Sequence, residues 1–353
     1  MKKIVVGIVA VFGLTLLQPV HAEPNRSIAI IDTAIDTTLP ELQGKIVYEV
    51  CLMEELQCPN KKSFQEGPGS ATLPASQVYA GGFGHGTYMA QVAVKTNPNV
   101  NIVFIRIFPM GKNGTVAHGA ANANSTVKQA LDWVAKNKTK FNIVAVSASV
   151  GHRPLTTGAN YCQMRPKLDA GLIQSISSLK SMGVASIFAS GNARDKLFID
   201  YPACLPDAIG ISSIGLGGNT EAYANDSAEV DFYSLGRYEL STVNISGTSA
   251  ATAAFAAYWA KYYLGDFQTT YNFLKSISVT SDTSKPNTVI DVNKEVIAPV
   301  VISSPSPTPT PKTQATKSSI LCLKVDRLKT VKGVNPKCPK GYQKVTISIV
   351  TDP

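Results

Sequence analysis

Short apolar runs alternate along most of the chain with segments that have the spacing of amphipathic helices. Five of the runs predict buried strands, at residues 28–31, 101–108, 141–151, 185–190 and 208–215. Between them, residues 126–137 place apolar side chains on one helical face, and residues 169–182 form a second helix candidate that ends before Gly183. Strands that alternate with helices predict an α/β fold with a mostly parallel central sheet flanked by helices.

One further segment, NISGTSAATAAFAAYWAKYYL at residues 244–264, begins with polar residues and then becomes almost wholly apolar. A helix that is apolar all round and rich in alanine is predicted to be buried on all sides. Ser249 stands at its N-terminal mouth, where free backbone N–H groups and the positive end of the helix dipole converge. The serine is therefore either a helix cap or a nucleophile whose oxyanion forms at the helix start.

Both ends of the chain differ from this α/β part. Residues 1–22 contain two lysines, an apolar run and a small-residue site, which is typical of a secretory signal peptide cleaved after Ala22. An uncleaved membrane anchor is the alternative, but the apolar run is short for a segment that spans a membrane. We expect residues 23–298 to form the main domain, residues 299–318 a linker rich in Pro, Ser and Thr, and residues 319–353 a small module, a strand pair held by one disulfide.

The net charge of +9 is concentrated near the C-terminus. Residues 312–353 hold nine basic side chains against two acidic ones, a net charge of +7, so the main domain is close to neutral. We expect no nucleic-acid partner for the main domain. The basic module favours an anionic polymer at the cell surface as its partner, and a solubilising tail without a target is the alternative.

The chain contains six cysteines, an even number that favours disulfides in an exported protein. The sequence does not choose securely among the pairings. Proximity suggests two pairs and leaves a third: Cys51–Cys58, Cys322–Cys338 and Cys162–Cys204. Because no CxxC pair and no close Cys/His cluster is present, zinc is less favoured and we assign no metal site.

Polar residues follow several predicted strands, at the sheet edge where chemistry collects in open α/β folds. Asp32 ends the first strand, residues 149–151 end the third, and Asn192 follows the fourth. His85 follows a glycine-rich turn at the mouth of another predicted helix. Each of these residues alone has a structural interpretation as a turn or cap residue.

Taken together, these residues fit acyl transfer. The Ser249 hydroxyl needs a base, which His85 supplies, and the carboxylate of Asp32 orients and stabilises the imidazolium. The tetrahedral oxyanion needs donors, which are the Ser249 backbone N–H and the Asn192 amide. The chain order Asp, His, Ser differs from that of chymotrypsin-like enzymes and from that of α/β-hydrolases.

In these residues the sequence resembles the subtilisin-like serine proteases, the subtilases, over residues 27–298. The matching motifs are AIIDTAID at Asp32, HGTYMAQV at His85, SASVG at 147–151, FASGN at Asn192, YPACLPDAIGISSIG at 201–215 and SGTSAATAA at Ser249. The resemblance implies a secreted, monomeric serine endopeptidase that acts on protein or peptide substrates and needs no cofactor for its chemistry. It leaves structural calcium open, without assigned sites.

The resemblance also implies which residues bind the substrate. Ser149, Val150 and Gly151 are similar to the edge segment that pairs with an extended peptide, and Gly114 and Thr115 stand where the opposite edge is expected. The pair Cys162–Cys204 is implied to flank the substrate pocket and to form a disulfide.

Asp200 precedes the Tyr201-Pro202 pair, and in the family the residue at this place lies at the base of the S1 pocket. A carboxylate in a partly desolvated pocket favours a cation, so the resemblance predicts cleavage after Lys or Arg. The alternative is that Asp200 pairs with Arg194 or Lys196 and that the pocket accepts apolar side chains.

Some positions depart from the family. Only residues 23–26 separate the signal peptide from the first strand, so we expect folding without the usual propeptide or with help from a separate chain. Ala34 stands in place of a usual Gly. Ala253 stands in place of a usual Pro, and the loss of this Pro loosens the turn and opens space beside Ser249. Ala253 therefore makes a transpeptidase or peptide ligase one alternative to the endopeptidase, and a non-catalytic binding protein that keeps the subtilase shape is another.

Overall fold

The structure is a computed structural model in which the described residues of the first part of the chain are 25–117, 123–151, 162, 169–216, 218–241, 243–278 and 288–289. In the C-terminal part they are 318–324, 327–333, 337, 340 and 343–345. They fall into two units that divide between residues 299 and 300. The expected signal peptide, the linker apart from residue 318, and Cys338 of the third expected disulfide lie outside the described residues.

The strands of the first unit are, in chain order, β1 (Ser27–Asp32), β2 (Ile46–Leu52), β3 (Phe64–Glu66), β4 (Asn101–Arg106), β5 (Ile143–Ala148), β6 (Ala185–Ala189), β7 (Ala208–Ile214), β8 (Phe232–Leu235), β9 (Arg237–Glu239), β10 (Asn244–Ser246) and β11 (Thr288–Val289). Within the described residues, nine of them form one sheet in the order β11-β8-β7-β6-β5-β1-β4-β2-β3, and β9 pairs with β10 in a separate hairpin. Every neighbouring pair of the sheet is parallel except β2 and β3. The predicted mostly parallel sheet is confirmed.

The helices of this unit are α1 (Ala75–Ala80), α2 (Gly84–Thr96), α3 (Ala123–Phe141), α4 (Ala170–Ser181), α5 (Thr248–Tyr262) and α6 (Phe267–Ile277). They cover both faces of the sheet, as the alternation along β1 requires. Ile28 and Ile30 face the layer that contains α2, α5 and α6, whereas Ala29 and Ile31 face the layer of α3 and α4. All four side chains are at most 1% exposed, so β1 lies at the centre of the core.

Helix α5 is buried almost all round, as its alanine-rich sequence predicts. Of its fifteen residues, all of which the structure describes, only Ser249 and Lys261 are not buried. The small side chains let α5 pack closely against α2 and against the sheet. Ser249 is thus an accessible hydroxyl on a helix whose other surfaces are occupied by packing.

Two of the three expected disulfides are formed in the structure. Cys51–Cys58 joins the end of β2 to the following loop, with the Cα atoms 5.8 Å apart. Cys162–Cys204 joins the segment after β5 to the loop before β7, with the Cα atoms 5.9 Å apart. Both close loops within the first unit, and the first of them lies at the carboxyl end of β2.

The described residues of the second unit form three antiparallel strands, β12 (Ser318–Lys324), β13 (Arg327–Gly333) and β14 (Gln343–Val345), in the order β13-β12-β14. The expected strand pair corresponds to β12 and β13, and β14 is an additional strand. Nowhere in the described part of the chain is a helix both long and apolar enough to cross a membrane.

Candidate active site

Asp32 and His85 meet at the carboxyl edge of the sheet. Asp32 is the last residue of β1 and is 1% exposed, and His85 is the second residue of α2. The His85 Nδ1 lies 2.8 Å from the Asp32 Oδ1, which also accepts a hydrogen bond of 2.7 Å from the Thr33 backbone N–H. Two of the residues that the sequence selected are therefore joined directly, although they are far apart along the chain.

This contact depends on a close approach of α2 to β1. A Cβ on Gly86 would lie 2.7 Å from the Ala34 carbonyl oxygen and 2.5 Å from Phe104, so no side chain fits there. The Thr33 hydroxyl then ties the two segments together, because it accepts from the Gly86 N–H at 2.9 Å and donates to the Phe83 carbonyl at 2.7 Å. The glycine-rich turn thus fixes where His85 stands.

The electrostatics of the pair favour a charged imidazole. Burial lowers the pKa of His85, but the charge of Asp32 and its hydrogen bond outweigh burial, so this pKa lies above its usual value. Asp32 in turn is a buried carboxylate, which is stabilised by a cation and by donors beside it. The arrangement therefore suits a histidine that accepts a proton during a reaction.

Ser249 and Asn192 lie together at the N-terminus of α5. The Asn192 Oδ1 accepts hydrogen bonds of 3.0 Å from both the backbone N–H and the hydroxyl of Thr248. These donors fix the amide with its oxygen toward Thr248. A Cβ on Gly247 would lie 3.8 Å from both the Asn192 Nδ2 and the Ser249 backbone nitrogen, so these two donors flank one point in space.

Asp32 and Asn192 follow strands that are separated by β5 alone in the sheet. Because parallel strands share one carboxyl edge, the two groups of residues lie on the same edge, roughly 10 Å apart across two strand spacings. Helices α2 and α5 pack against each other and carry His85 and Ser249 at their N-termini. Among the described residues, no hydrogen bond joins the Ser249 hydroxyl to the His85 ring, and such bonds commonly form only when substrate is bound.

The structure places Asp200 against the two loops that follow β5 and β6. A Cβ on Gly151 would lie 3.1 Å from the Asp200 Oδ2, and a Cβ on Gly191 would lie 2.3 Å from the same oxygen. The Asp200 Oδ1 accepts a hydrogen bond of 3.0 Å from Asn225. Lys196, one of the alternative partners considered for Asp200, instead pairs with Asp226 at 3.3 Å.

The residues 149–151 continue from β5 toward solvent. Val150 is 5% exposed and packs in the core, and Gly151 is exposed. The Ser149 hydroxyl is buried and has no hydrogen-bond partner within the described part of the chain. At the edge of the sheet this segment therefore offers its backbone groups rather than its side chains.

Gly114 and Thr115 lie in a surface turn whose backbone groups bond internally. The Gly111 N–H donates to the Thr115 carbonyl at 2.8 Å, and Gly114 has a φ of 78°. The adjoining Val116 N–H donates to the Gly81 carbonyl at 2.8 Å, which holds the turn beside the segment that leads to His85. No described hydrogen bond links this turn to residues 149–151.

Sequence reasoning missed Asn225, which organises this region. It is fully buried, its Oδ1 accepts from the Ala193 and Asp195 N–H groups, and its Nδ2 donates to Ser190 and to Asp200. It thereby fixes both the loop that carries Asn192 and the carboxylate of Asp200. Nothing in the local sequence around Asn225 signals these contacts, since the partners of its side chain all lie on the loop after β6.

Known protein families and proteins are similar to this chain in sequence. The model of the subtilase family matches residues 24–288. Thermitase of Thermoactinomyces vulgaris is 23% identical over 244 residues, which cover 65% of this chain and 71% of thermitase. Subtilisin BL of Lederbergia lenta is 24% identical over 194 residues, which cover 52% of this chain and 64% of that protein.

The fold also resembles a solved structure, that of the nisin leader peptidase NisP from Lactococcus lactis. The two share 17% identity with a TM-score of 0.54, over 76% of this chain and 86% of NisP. The family match covers the sheet up to the first residue of β11, both helical layers and every residue of the candidate site. The chain therefore belongs to the subtilase family, whose members are serine endopeptidases.

Proposed function

We propose that this chain is a secreted serine endopeptidase that hydrolyses peptide bonds through Asp32, His85 and Ser249. The observation that carries the proposal is the 2.8 Å contact between the buried Asp32 carboxylate and the His85 Nδ1. It leaves the His85 Nε2 as the basic nitrogen. The accessible hydroxyl at the start of α5 is the nucleophile that this base serves.

In this mechanism His85 takes the proton of the Ser249 hydroxyl as the oxygen attacks the scissile carbonyl carbon. Asp32 stabilises the imidazolium that forms and keeps the ring in the required tautomer. His85 then gives the proton to the leaving amine, and an acyl-enzyme remains. A water molecule, deprotonated by His85, attacks the ester, and the acid product and the free serine are released.

The negative charge of the tetrahedral intermediate develops on the carbonyl oxygen. The Ser249 backbone N–H and the Asn192 Nδ2 are the donors that we assign to it, because both flank the same point beside Gly247. The Asn192 amide is held in place by Thr248 before any substrate binds. Donors that are oriented in advance stabilise the transition state without a cost of reorganisation.

Replacing Asn192 by leucine is expected to lower kcat by about 10²–10³-fold, as removal of such a donor does in subtilisin, with a much smaller change in KM. The reason is that the donor acts on charge that exists only in the transition state. Steady-state kinetics on one peptide substrate measure both constants, with thermal unfolding as the check on folding. An unchanged kcat in a folded variant means that Asn192 is not the oxyanion donor.

We further propose that the enzyme cleaves after Lys or Arg. The carboxylate of Asp200 lies against Gly151 and Gly191, between the loops that are expected to line the S1 pocket. One of its oxygens accepts from Asn225, and the other faces the two glycines. A half-buried carboxylate at this place favours a substrate cation over an apolar side chain.

Replacing Asp200 by asparagine is therefore expected to lower kcat/KM for a peptide with Arg at P1 by at least about tenfold, while that for the matched Leu peptide stays nearly constant. The measurement compares Arg, Leu and Phe peptides of otherwise identical sequence in both proteins. If the wild type prefers Leu or Phe, the assignment is wrong. If it prefers Arg and the variant keeps the same ratio, another residue sets the preference.

The peptide-ligase alternative rested on Ala253, which stands where the family usually has proline. Ala253 is fully buried inside α5 and packs in the core, so it presents no surface to an acceptor amine. Hydrolysis is accordingly the reaction that we propose. The contact between Asp32 and His85 favours an enzyme over a non-catalytic binding protein.

Disulfides such as Cys51–Cys58 and Cys162–Cys204 fit an extracellular protein, which supports the proposed secretion. Subtilases need no cofactor for catalysis, and many bind structural calcium. Among the described residues, no group of three His, Cys, Asp or Glu side chains lies together as a metal site. Attachment of the basic second unit to an anionic surface polymer, and a monomeric state, remain predictions.

A further inference from the structure

Arg106, the last residue of β4, is a buried cation that has no ion pair among the residues that the structure describes. It is 1% exposed, and its Nε and Nη1 have no hydrogen-bond partner among the described residues. The ring of Phe83 lies 5.5 Å from the guanidinium carbon. Burial lowers the pKa of Arg106 to about 10, so the side chain still carries its charge at neutral pH. An unpaired buried charge is strongly destabilising, and an anion that binds it removes this penalty.

The Arg106 side chain lines a cavity of about 590 Å³. Ile35, Asp36 and Arg106 form its buried wall, whereas Thr38, Pro59 and Pro74 lie at its exposed rim. The volume falls within the range of binding sites for small ligands. A side chain from a bound peptide therefore has room to enter from solvent and to approach the wall that Arg106 helps to form.

Asp36 also lines this cavity, but its carboxylate is already satisfied. Its Oδ1 accepts from the Thr38 backbone N–H at 2.9 Å and from the Thr38 hydroxyl at 2.6 Å, and its Oδ2 accepts from the Tyr79 hydroxyl at 2.9 Å. The Nε and Nη1 atoms of Arg106 have no such bonds among the described residues. Of the two charged groups in the cavity, the cation is thus the one that a ligand can satisfy.

The cavity lies beside the proposed catalytic residues, on the side away from the S1 pocket. Arg106 is the register partner of Asp32 across β1 and β4. In the strand order β6-β5-β1-β4, the loops after β6 and β5 carry Asn192 and Gly151, and Asp32 separates them from Arg106. An extended peptide that crosses Asp32 therefore presents one of its side chains to this cavity.

We propose that the cavity is a second specificity subsite, in which Arg106 binds the carboxylate of an acidic side chain of the peptide substrate. This inference rests on the proposed peptidase function. The planar guanidinium offers forked pairs of N–H donors that match a carboxylate, and such charge-assisted bonds are stronger than neutral ones. Arg106 is here a specificity residue and takes no part in bond cleavage.

The test uses neutral peptides with one fixed scissile bond, in which a single Glu is moved through the flanking positions, each paired with its Gln counterpart. The wild type is expected to cleave the Glu peptide about tenfold or more faster in kcat/KM at one position. Replacing Arg106 by methionine removes this preference and leaves the Gln peptides within about twofold. Replacing Arg106 by lysine keeps part of the Glu preference, because lysine keeps the positive charge but lacks the paired N–H donors of the guanidinium.

A second pair of variants leaves the buried arginine in place. Ala75 is exposed, lines the cavity and begins α1. A75E puts a competing carboxylate at the rim and is expected to reduce the Glu preference, whereas the matched A75Q keeps it.

The subsite is refuted if the wild type shows no Glu preference at any position, if the preference survives in R106M, or if A75E and A75Q behave alike. Hydrolysis without a Glu preference would overturn the subsite alone. A wild type that hydrolyses none of the peptides would overturn the proposed function, and the subsite with it.

Discussion

Replacing Ser249 by alanine is expected to lower kcat for peptide hydrolysis by about 10⁶-fold, the effect known for the nucleophile of subtilisin, while the fold stays intact. The hydroxyl is the one group in the proposed mechanism that forms a covalent bond with substrate. Loss of this hydroxyl leaves the packing of α5 in place, because Ser249 is not buried. Ser249 is also not the N-cap of the helix, since Gly247 holds that position and no side chain caps the helix there. Single-turnover and steady-state rates on a fluorogenic peptide measure the effect.

Ser246 provides a matched control three residues earlier. It is an exposed serine at the end of β10, so Ser246→Ala removes the same atom from the same region. We expect this variant to keep the wild-type rate. If Ser249→Ala retains more than a small fraction of the activity, or both variants lose it equally, Ser249 is not the nucleophile.

Replacing Asp32 by asparagine is expected to lower kcat by about 10⁴-fold. The asparagine amide has the size of the carboxylate but carries no charge for the imidazolium. It also donates to the His85 Nδ1, so the ring proton moves to the nitrogen that has to act as the base. The same steady-state assay, run across a range of pH, measures the loss.

The pH profile of the same variant gives a second readout. Activity rises with pH as His85 loses its proton, and Asp32 holds the pKa of His85 above its usual value. Removing the carboxylate leaves only burial, which lowers this pKa, so the acid limb of kcat/KM moves to lower pH.

A control comes from Asp36, in the same IDTAID segment, which bonds to Thr38 and Tyr79 and makes no described bond to His85. Asp36→Asn is expected to leave the acid limb where it is. An unmoved limb in Asp32→Asn would contradict the pairing of Asp32 with His85.

The sequence predicted those strands and helices whose hydrophobic pattern lies within the element itself. The strands β1, β4, β5, β6 and β7 are mostly apolar runs, and α5 is almost wholly apolar. Each of these elements can therefore be predicted from its own residues. The strand β2, by contrast, was missed because Glu49 interrupts its apolar pattern. That carboxylate is 7% exposed and accepts from the Gly69 and Ala71 N–H groups, partners that only the folded chain brings near.

The residues of the candidate site also differ in whether the sequence alone could identify them. Asp32, His85, Asn192 and Ser249 stand in short motifs beside strand ends and helix starts, so the sequence alone singles them out as candidates. Asn225 was not visible, because its role consists of hydrogen bonds to a loop about 30 positions earlier in the chain. Arg106 ends an apolar strand, and only the cavity beside it distinguishes it from an ordinary flanking charge.

The most direct test of the proposed mechanism is to label the folded protein with a fluorophosphonate and to map the modified peptide by mass spectrometry. Such reagents phosphonylate a serine only when a neighbouring base and an oxyanion site activate it. We predict one modification, on Ser249, that is formed by the wild type and strongly slowed in the Asp32→Asn protein. Failure to label a protein that hydrolyses peptides, or a label on any residue other than Ser249, would contradict the assignment.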